Sequence, residues 1–151
     1  VRAIELKPSY ADGYGLLARI MHFAGRPQEG REAIAEAIRL SPRVPALYRM
    51  VDGALLYQLG RHDEAIEQLT ASVDASPNLL LSRLYLAAAY AGSNQLEVAR
   101  WEVDEVLSFN PDFNITFLDY GFPMRDPSFR QRFIDDLRRA GLPDPARGAA
   151  D

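Results

Sequence analysis

Apolar and polar residues follow one dominant pattern along this sequence. Apolar side chains recur at intervals of three to four residues over most of the chain, and no stretch alternates apolar and polar residues at every second position. The first pattern is typical of helices that bury one face, whereas the second would indicate strands. The sequence therefore predicts an all-α protein.

Four prolines divide the chain into periods of nearly equal length. They lie 34, 35 and 34 residues apart, and they close the similar phrases AIELKP, AIRLSP, SVDASP and VLSFNP, which end at Pro8, Pro42, Pro77 and Pro111. Proline cannot continue a helix, and it disfavours the helical conformation in the residue before it. Each phrase therefore marks the end of a helix in a repeated unit.

Each period contains a second turn and hence two helices. Seventeen residues before the last three prolines stand Gly25, Gly60 and Asn94, residue types that tolerate the left-handed backbone at a helix end. Small residues also recur where two helices would cross: Ala18, Gly53 and Ala87 in the first helices, and Gly30, Ala65 and Ala99 in the second. Helices of about a dozen residues are marginal alone, so the hairpins must stack.

The 34-residue period, the small residues at the crossings and the phrase GRHDEAIEQLTASVDASP resemble the tetratricopeptide repeat. The resemblance covers residues 1–111. It implies a right-handed α-solenoid of helical hairpins, ending here in a capping helix. The expected units are a partial repeat over 1–10, repeats over 11–44, 45–79 and 80–113, a degenerate repeat and cap over 114–142, and a disordered tail over 143–151. Arg49 and Arg83 depart from the pattern, because the family often has a large aromatic residue there.

The two ends of the chain carry their own predictions. Residues 1–8 match only the end of a repeat, so we expect missing sequence upstream and an exposed apolar flank. Asp126 and Pro127 predict the start of the capping helix, and Gly141 predicts its end. Six charged residues are expected on its solvated outer face, where an anion-binding patch is the alternative: Arg130, Arg132, Asp135, Asp136, Arg138 and Arg139.

The phrase FPMRDPSFRQRFIDDLRRAGLP, residues 122–143, resembles the carboxyl-terminal ends of bacterial class III adenylate or guanylate cyclases that carry tetratricopeptide repeats. This resemblance implies that the chain is a regulatory part of a larger signalling protein, with the catalytic domain upstream. A repeat-bearing transcriptional regulator is the alternative parent. The phrase contains no catalytic motif, so we expect the chain itself not to be an enzyme.

The composition argues against several classes of partner and site. A net charge of −4 gives no basic field for nucleic acid, and no apolar run approaches the roughly 20 residues that cross a bilayer. There is no cysteine, so disulfides and thiolate zinc sites are excluded. We expect a cytoplasmic protein with no catalytic residues, cofactor or metal. His62, in the GRHDEA turn, is expected to pack against the next helix.

The expected functional site is the concave groove lined by the first helix of each hairpin. Nine residues are predicted to line it: Arg19, His22, Leu47, Met50, Ala54, Tyr57, Leu81, Leu84 and Ala88. Met50 and Tyr57 are the expected anchors for an apolar peptide or helix, including one from the missing part of the same chain. A homodimer through the amino-terminal flank and a small-molecule sensor with an enclosed pocket are the alternatives. An exposed histidine is the alternative for His22.

Overall fold

The computed structural model describes residues 10–148, and within that range the regular structure is helical. The helices are α1 (Ala11–Phe23), α2 (Pro27–Arg39), α3 (Ala46–Gln58), α4 (His62–Ala75), α5 (Leu80–Gly92), α6 (Leu96–Phe109), α7 (Phe117–Gly121), α8 (Pro127–Arg139) and α9 (Pro145–Gly148). None of them is long and apolar enough to cross a membrane. The predicted partial repeat lies outside the described residues, except for Tyr10.

Helices α1–α2, α3–α4 and α5–α6 form three hairpins that stack in chain order. The turn inside each hairpin contains a residue with positive φ: Gly25 at 77°, Gly60 at 79° and Asn94 at 67°. In the second hairpin this conformation lets the Arg61 amide donate to the Leu56 carbonyl at 2.9 Å. Such a bond pairs a carbonyl that the helix end would otherwise leave without a partner. The predicted all-α solenoid is confirmed.

Small residues allow the helices of the hairpins to approach closely. A Cβ atom on Gly53 would stand 2.4 Å from Leu69 Cγ, and one on Gly30 would stand 2.6 Å from Leu55 Cδ2. Leu55 and Leu69 are themselves fully buried. The space that a larger residue would need is therefore already filled by a neighbouring leucine.

The two arginines that depart from the family pattern occupy equivalent places in successive hairpins. Arg83 of α5 donates from Nη1 to Glu102 Oε2 of α6 at 3.1 Å, and Arg49 of α3 donates to Gln68 Oε1 of α4 at 3.3 Å. Each arginine thus joins the first and second helices of its own hairpin. Burial raises the pKa of Glu102, and the bond to Arg83 partly opposes that shift.

The stack curves toward the first helices. Helices α1 and α3 contact each other directly, as do α3 and α5, whereas α2, α4 and α6 contact one another little if at all. Elements that lie closer together mark the inner side of a curved stack. The first helices α1, α3 and α5 therefore form the inner face.

The chain after α6 crosses this inner face instead of adding a fourth full hairpin. It returns to the first hairpin, where the Arg125 amide donates to the Phe23 carbonyl at the end of α1 at 2.9 Å. Helix α8 then begins, with Asp126 Oδ1 accepting from the Ser128 amide at 3.0 Å, and it packs chiefly against α5. Helix α8 has the predicted start and end, but it covers the first helices, which the sequence did not predict.

Definite contacts continue past residue 142, where the expected tail begins. The Ile115 amide donates to the Pro143 carbonyl at 2.9 Å, and Arg138 Nε donates to Asp144 Oδ2 at 2.7 Å. Leu142 is buried. The packed part of the chain therefore reaches at least Asp144, while residues 149–151 lie outside the described range.

Candidate functional site

The inner face has two parts with different surroundings. The open groove lies between the amino-terminal halves of α1 and α3; it has a volume of about 290 Å³ and is lined by Asp12, Gly15, Leu16, Arg19, Leu47, Tyr48 and Val51. The covered groove lies at the carboxyl-terminal ends of α1 and α3 and along α5, beneath residues 122–139. Its principal side chains are His22, Tyr57, Gln58 and Tyr85.

Aromatic rings of the C-terminal segment fill the covered groove. The Phe129 ring lies 5.6 Å from the His22 ring and 5.7 Å from the Tyr57 ring. The Phe133 ring lies 5.9 Å from Tyr57 and stacks on Tyr85 at 5.2 Å. These centroid distances are those at which aromatic pairs attract each other. Helix α8 is therefore held by two aromatic anchors, one turn apart.

A hydrogen-bonded network forms the floor of the covered groove. Gln58 Oε1 can only accept, so His22 Nδ1 carries a hydrogen and donates to it at 2.8 Å. The other ring nitrogen, Nε2, then accepts from the Tyr85 hydroxyl at 2.9 Å. Burial lowers the pKa of His22 to about 4, against the opposing effect of the Gln58 bond. His22 is thus a neutral, buried histidine with both ring nitrogens satisfied.

Polar side chains of α8 bind the end of α3. The Tyr57 hydroxyl donates to Asp136 Oδ2 at 2.5 Å, and Arg132 Nη2 donates to the Gln58 carbonyl at 2.7 Å. The Arg132 guanidinium also lies over the rings of Tyr57 and Phe129, at 5.5 and 5.1 Å. Burial raises the pKa of Asp136, and the Tyr57 bond opposes that shift. The prediction of a solvated outer face is therefore wrong for Asp136, which is buried. Arg132 is exposed as predicted, but its guanidinium lies against α3.

Contacts of the C-terminal segment to successive hairpins recur every seven residues. The Arg125 amide reaches the end of α1, Arg132 reaches the end of α3, and Arg139 Nη2 donates to Asn94 Oδ1 after α5 at 2.5 Å. Between Arg132 and Arg139 the segment is helical, and seven helical residues advance about 10.5 Å, close to the 8–10 Å between packed helices. One heptad of the segment thus matches one hairpin of the stack.

The structure separates the nine predicted groove residues by accessibility. Six are buried: His22, Met50, Ala54, Tyr57, Leu84 and Ala88. Arg19 and Leu47 are exposed, and Leu81 is partly exposed. While the C-terminal segment is in place, an external partner reaches only Arg19, Leu47 and Leu81.

The predicted anchors Met50 and Tyr57 are therefore not accessible in this state, and His22 is not an exposed histidine. Gln58 and Tyr85, which complete the buried floor, were not among the nine predicted groove residues.

The open groove combines apolar and charged side chains. Leu16 on α1 and Leu47 on α3 are both exposed, and Arg19 lies one turn beyond Leu16. The Tyr48 hydroxyl donates to the Asp12 carboxylate. Burial and this bond raise the pKa of Tyr48 to about 12. The open groove therefore offers an apolar pair of leucines with a cation at one end and a carboxylate–tyrosine pair at the other.

Known proteins support the fold. Residues 53–79 match the profile of the tetratricopeptide repeat, and no curated protein matches the sequence significantly. The crystal structure of MamA aligns with 92% of this chain and 81% of its own, at a TM-score of 0.68 and 14% identity. YrrB, described as a TPR protein with an unusual peptide-binding site, aligns over 91% and 71%, at a TM-score of 0.63 and 20% identity. The described chain thus has the fold of a tetratricopeptide-repeat solenoid.

Proposed function

We propose that this chain is a non-catalytic interaction module that binds an apolar peptide or helix on the inner face of its first helices. The observation that carries this proposal is that a helix already lies there. Helix α8 places Phe129 and Phe133 among the aromatic side chains of α1, α3 and α5. An amphipathic helix with aromatic anchors in an apolar groove is an established mode of protein recognition. The description of YrrB as a peptide-binding protein agrees with this class of function.

The open groove is the part of this face available to a partner in the described state. A peptide side chain placed between Leu16 and Leu47 would bury apolar surface that now faces water. An acidic side chain one turn away would meet Arg19, at the end of the groove nearest Phe122. We therefore propose that the partner peptide is apolar with an acidic residue, and that it docks by groove burial.

The alternative of a small-molecule sensor has less support. The cavity beside His22 and Tyr85 has a volume of about 40 Å³. Pockets that enclose drug-sized ligands measure roughly 300 to 1,000 Å³. A cavity of this size has room for a few water molecules but not for such a ligand.

A peptide library displayed on phage tests the proposed function directly. We expect enrichment of peptides whose affinity falls more than about tenfold on Leu47→Asp or Leu16→Asp, because a charge would replace an apolar contact. Val98→Asp is the matched control, since Val98 is exposed on α6 and outside the groove. Failure to enrich any peptide, or an equal loss on Val98→Asp, would contradict the proposal.

We also propose that the module belongs to a nucleotide cyclase, on the resemblance of residues 122–143 alone. Sequencing the reading frame upstream of Val1 should then reveal a class III catalytic domain. The chain by itself is expected to form no cyclic nucleotide from ATP or GTP with Mg²⁺ or Mn²⁺. A different upstream domain would remove the cyclase from the proposal without affecting the groove.

A further inference from the structure

The segment Phe122–Leu142 is organised as a bound ligand of the solenoid. We propose that this segment is releasable and that a partner helix replaces it in the covered groove. The partner has aromatic residues at its first and fifth positions, arginine at the fourth and a carboxylate at the eighth, as in Phe129, Arg132, Phe133 and Asp136. This inference rests on the proposed function and assigns a partner to the second part of the same face.

The floor of the covered groove is complete without the segment. His22, Gln58 and Tyr85 satisfy one another, and Gln58 Nε2 also donates to the His22 carbonyl at 3.1 Å. All three residues belong to first helices, so these bonds survive when α8 leaves. The groups that α8 itself satisfies, such as the Tyr57 hydroxyl and the Gln58 carbonyl, lie at the surface that it vacates. Water can bind them there, so release leaves neither of these two groups buried and unpaired.

The stack of hairpins also does not depend on the segment for its continuity. Each hairpin packs on the next through its own helices, α2 against α3 and α4 against α5. In a solenoid, stability comes mainly from such contacts between neighbouring repeats. Release would nevertheless expose Tyr57 and Tyr85, which are now buried. Another apolar helix is therefore needed to stabilise the open state.

Four contacts define the partner. Its two aromatic residues take the places of Phe129, between His22 and Tyr57, and of Phe133, between Tyr57 and Tyr85. Its arginine lies over the Tyr57 ring and donates to the Gln58 carbonyl. Its carboxylate accepts from the Tyr57 hydroxyl. Aromatic and arginine side chains are the residues that most often dominate binding energy at interfaces.

A labelled synthetic peptide of residues 122–142, added to the 151-residue chain, provides the binding test. We expect saturable one-to-one binding that tightens about tenfold or more when Phe133→Ala in the chain weakens the internal segment, since the open fraction then rises. Arg132→Ala serves the same purpose if Phe133→Ala does not fold, because Arg132 is exposed. The control peptide, which carries Phe129→Ala and Phe133→Ala, should bind at least about tenfold more weakly.

Native-state hydrogen exchange of the unmodified chain supplies an independent measurement. The α8 amides should exchange through an opening that leaves the amides of α3 and α5 protected. Exchange of α8 only on global unfolding, or no peptide binding by either variant, would overturn the inference. A concentration-dependent dimer that excludes the peptide would also overturn it and assign the groove to a second copy. Peptides selected through Leu16 and Leu47 would still support the proposed function in each of these cases.

Discussion

The two parts of the inner face meet different surroundings. In the open groove, Leu16 and Leu47 are 58% and 39% exposed, whereas Tyr57 and Tyr85 of the covered groove are 0% and 2% exposed. Helices α1 and α3 contribute to both parts, so the helices alone do not account for this contrast. It arises because residues 122–139 fold back over one part only. The accessible surface of this solenoid thus depends on its C-terminal segment as much as on its repeats.

Replacing one large apolar side chain in each part with alanine should give the largest contrast in stability. Tyr57→Ala is expected to lower the free energy of unfolding by about 3–5 kcal/mol, because it removes a fully buried ring that packs on Phe129 and Phe133. Leu47→Ala should stay within about 0.5 kcal/mol of the unmodified chain. Urea unfolding followed by circular dichroism measures both values. Equal losses would show that the two parts of the face do not differ in packing.

The sequence predicted the hairpins because their determinants are local. Pro42 and Pro77 end helices wherever they occur, and Gly25 and Gly60 adopt positive φ at their own turns. The bounds of α8 were equally local, since Asp126 caps its first turn. These signals act within a few residues of the position that they determine. They therefore remain readable without the rest of the fold.

The position of α8 could not be predicted in the same way. Its apolar stripe shows that one face must be buried, but not against which surface. Arg132 and Asp136 are residue types that usually remain in water, and their partners at Tyr57 and Gln58 lie 74 to 79 positions away in the sequence. The same absence of long-range information made Tyr57 look like an accessible anchor. The sequence located the inner face but not the part of it that is covered.

Acid should destabilise the covered part of the face through His22. Its pKa is about 4 in the folded chain and 6.5 when unperturbed, chiefly because burial disfavours the charged ring; the Arg19 charge adds to this and the Gln58 bond opposes it. The contribution of neutral, buried His22 to the free energy of unfolding is fully present above pH 6.5. It is lost as pH falls toward 4, because the unfolded chain binds the proton more readily. The loss should reach roughly 3 kcal/mol.

Unfolding free energies of the unmodified chain and of His22→Gln, measured from pH 7.5 to pH 4, isolate this effect. The difference between the two curves should change with falling pH, since glutamine does not titrate. Asp136 acts in the opposite direction: burial raises its folded pKa, so its contribution is present at low pH and is lost as pH rises through that value. Parallel curves would show that His22 is not buried in its neutral form.

Adding a methyl group at one glycine in each part of the face tests how rigid the neighbours are. A Cβ on Gly92 would stand 2.6 Å from His62 Nε2 and 3.2 Å from Asp136 Oδ2, between α5 and α8. Gly92→Ala should lower the free energy of unfolding by about 1–3 kcal/mol through overpacking. The higher helix propensity of alanine offsets part of this loss. Gly15→Ala meets the edge of the Tyr48 ring at 3.0 Å. That ring borders the open groove and can shift, so Gly15→Ala should change the free energy of unfolding by no more than about 1 kcal/mol.

Thermal unfolding of the two alanine variants measures this difference. The melting temperature should fall more for Gly92→Ala than for Gly15→Ala. The reverse order would mean that the end of α5 has more room than the described contacts allow. It would also weaken the inference that α8 fits closely against the third hairpin.

The smallest expected change in stability concerns Arg132 and Arg19, two exposed arginines that lie in different parts of the inner face. Arg132→Ala removes the bond to the Gln58 carbonyl and the stacking over Tyr57 and Phe129, so unfolding should become easier by about 1 kcal/mol. Arg19→Ala should change stability by less than about 0.5 kcal/mol, because Arg19 is an exposed residue of the open groove.

The two substitutions should also change peptide affinity in opposite directions. Arg132→Ala should raise the affinity for the peptide of residues 122–142, because it opens the covered groove. Arg19→Ala should lower the affinity for acidic peptides selected on the open groove. Isothermal titration with both peptides on both variants measures the four affinities. If both peptides respond to the same arginine, the two parts of the face are one site and the division drawn between them is wrong.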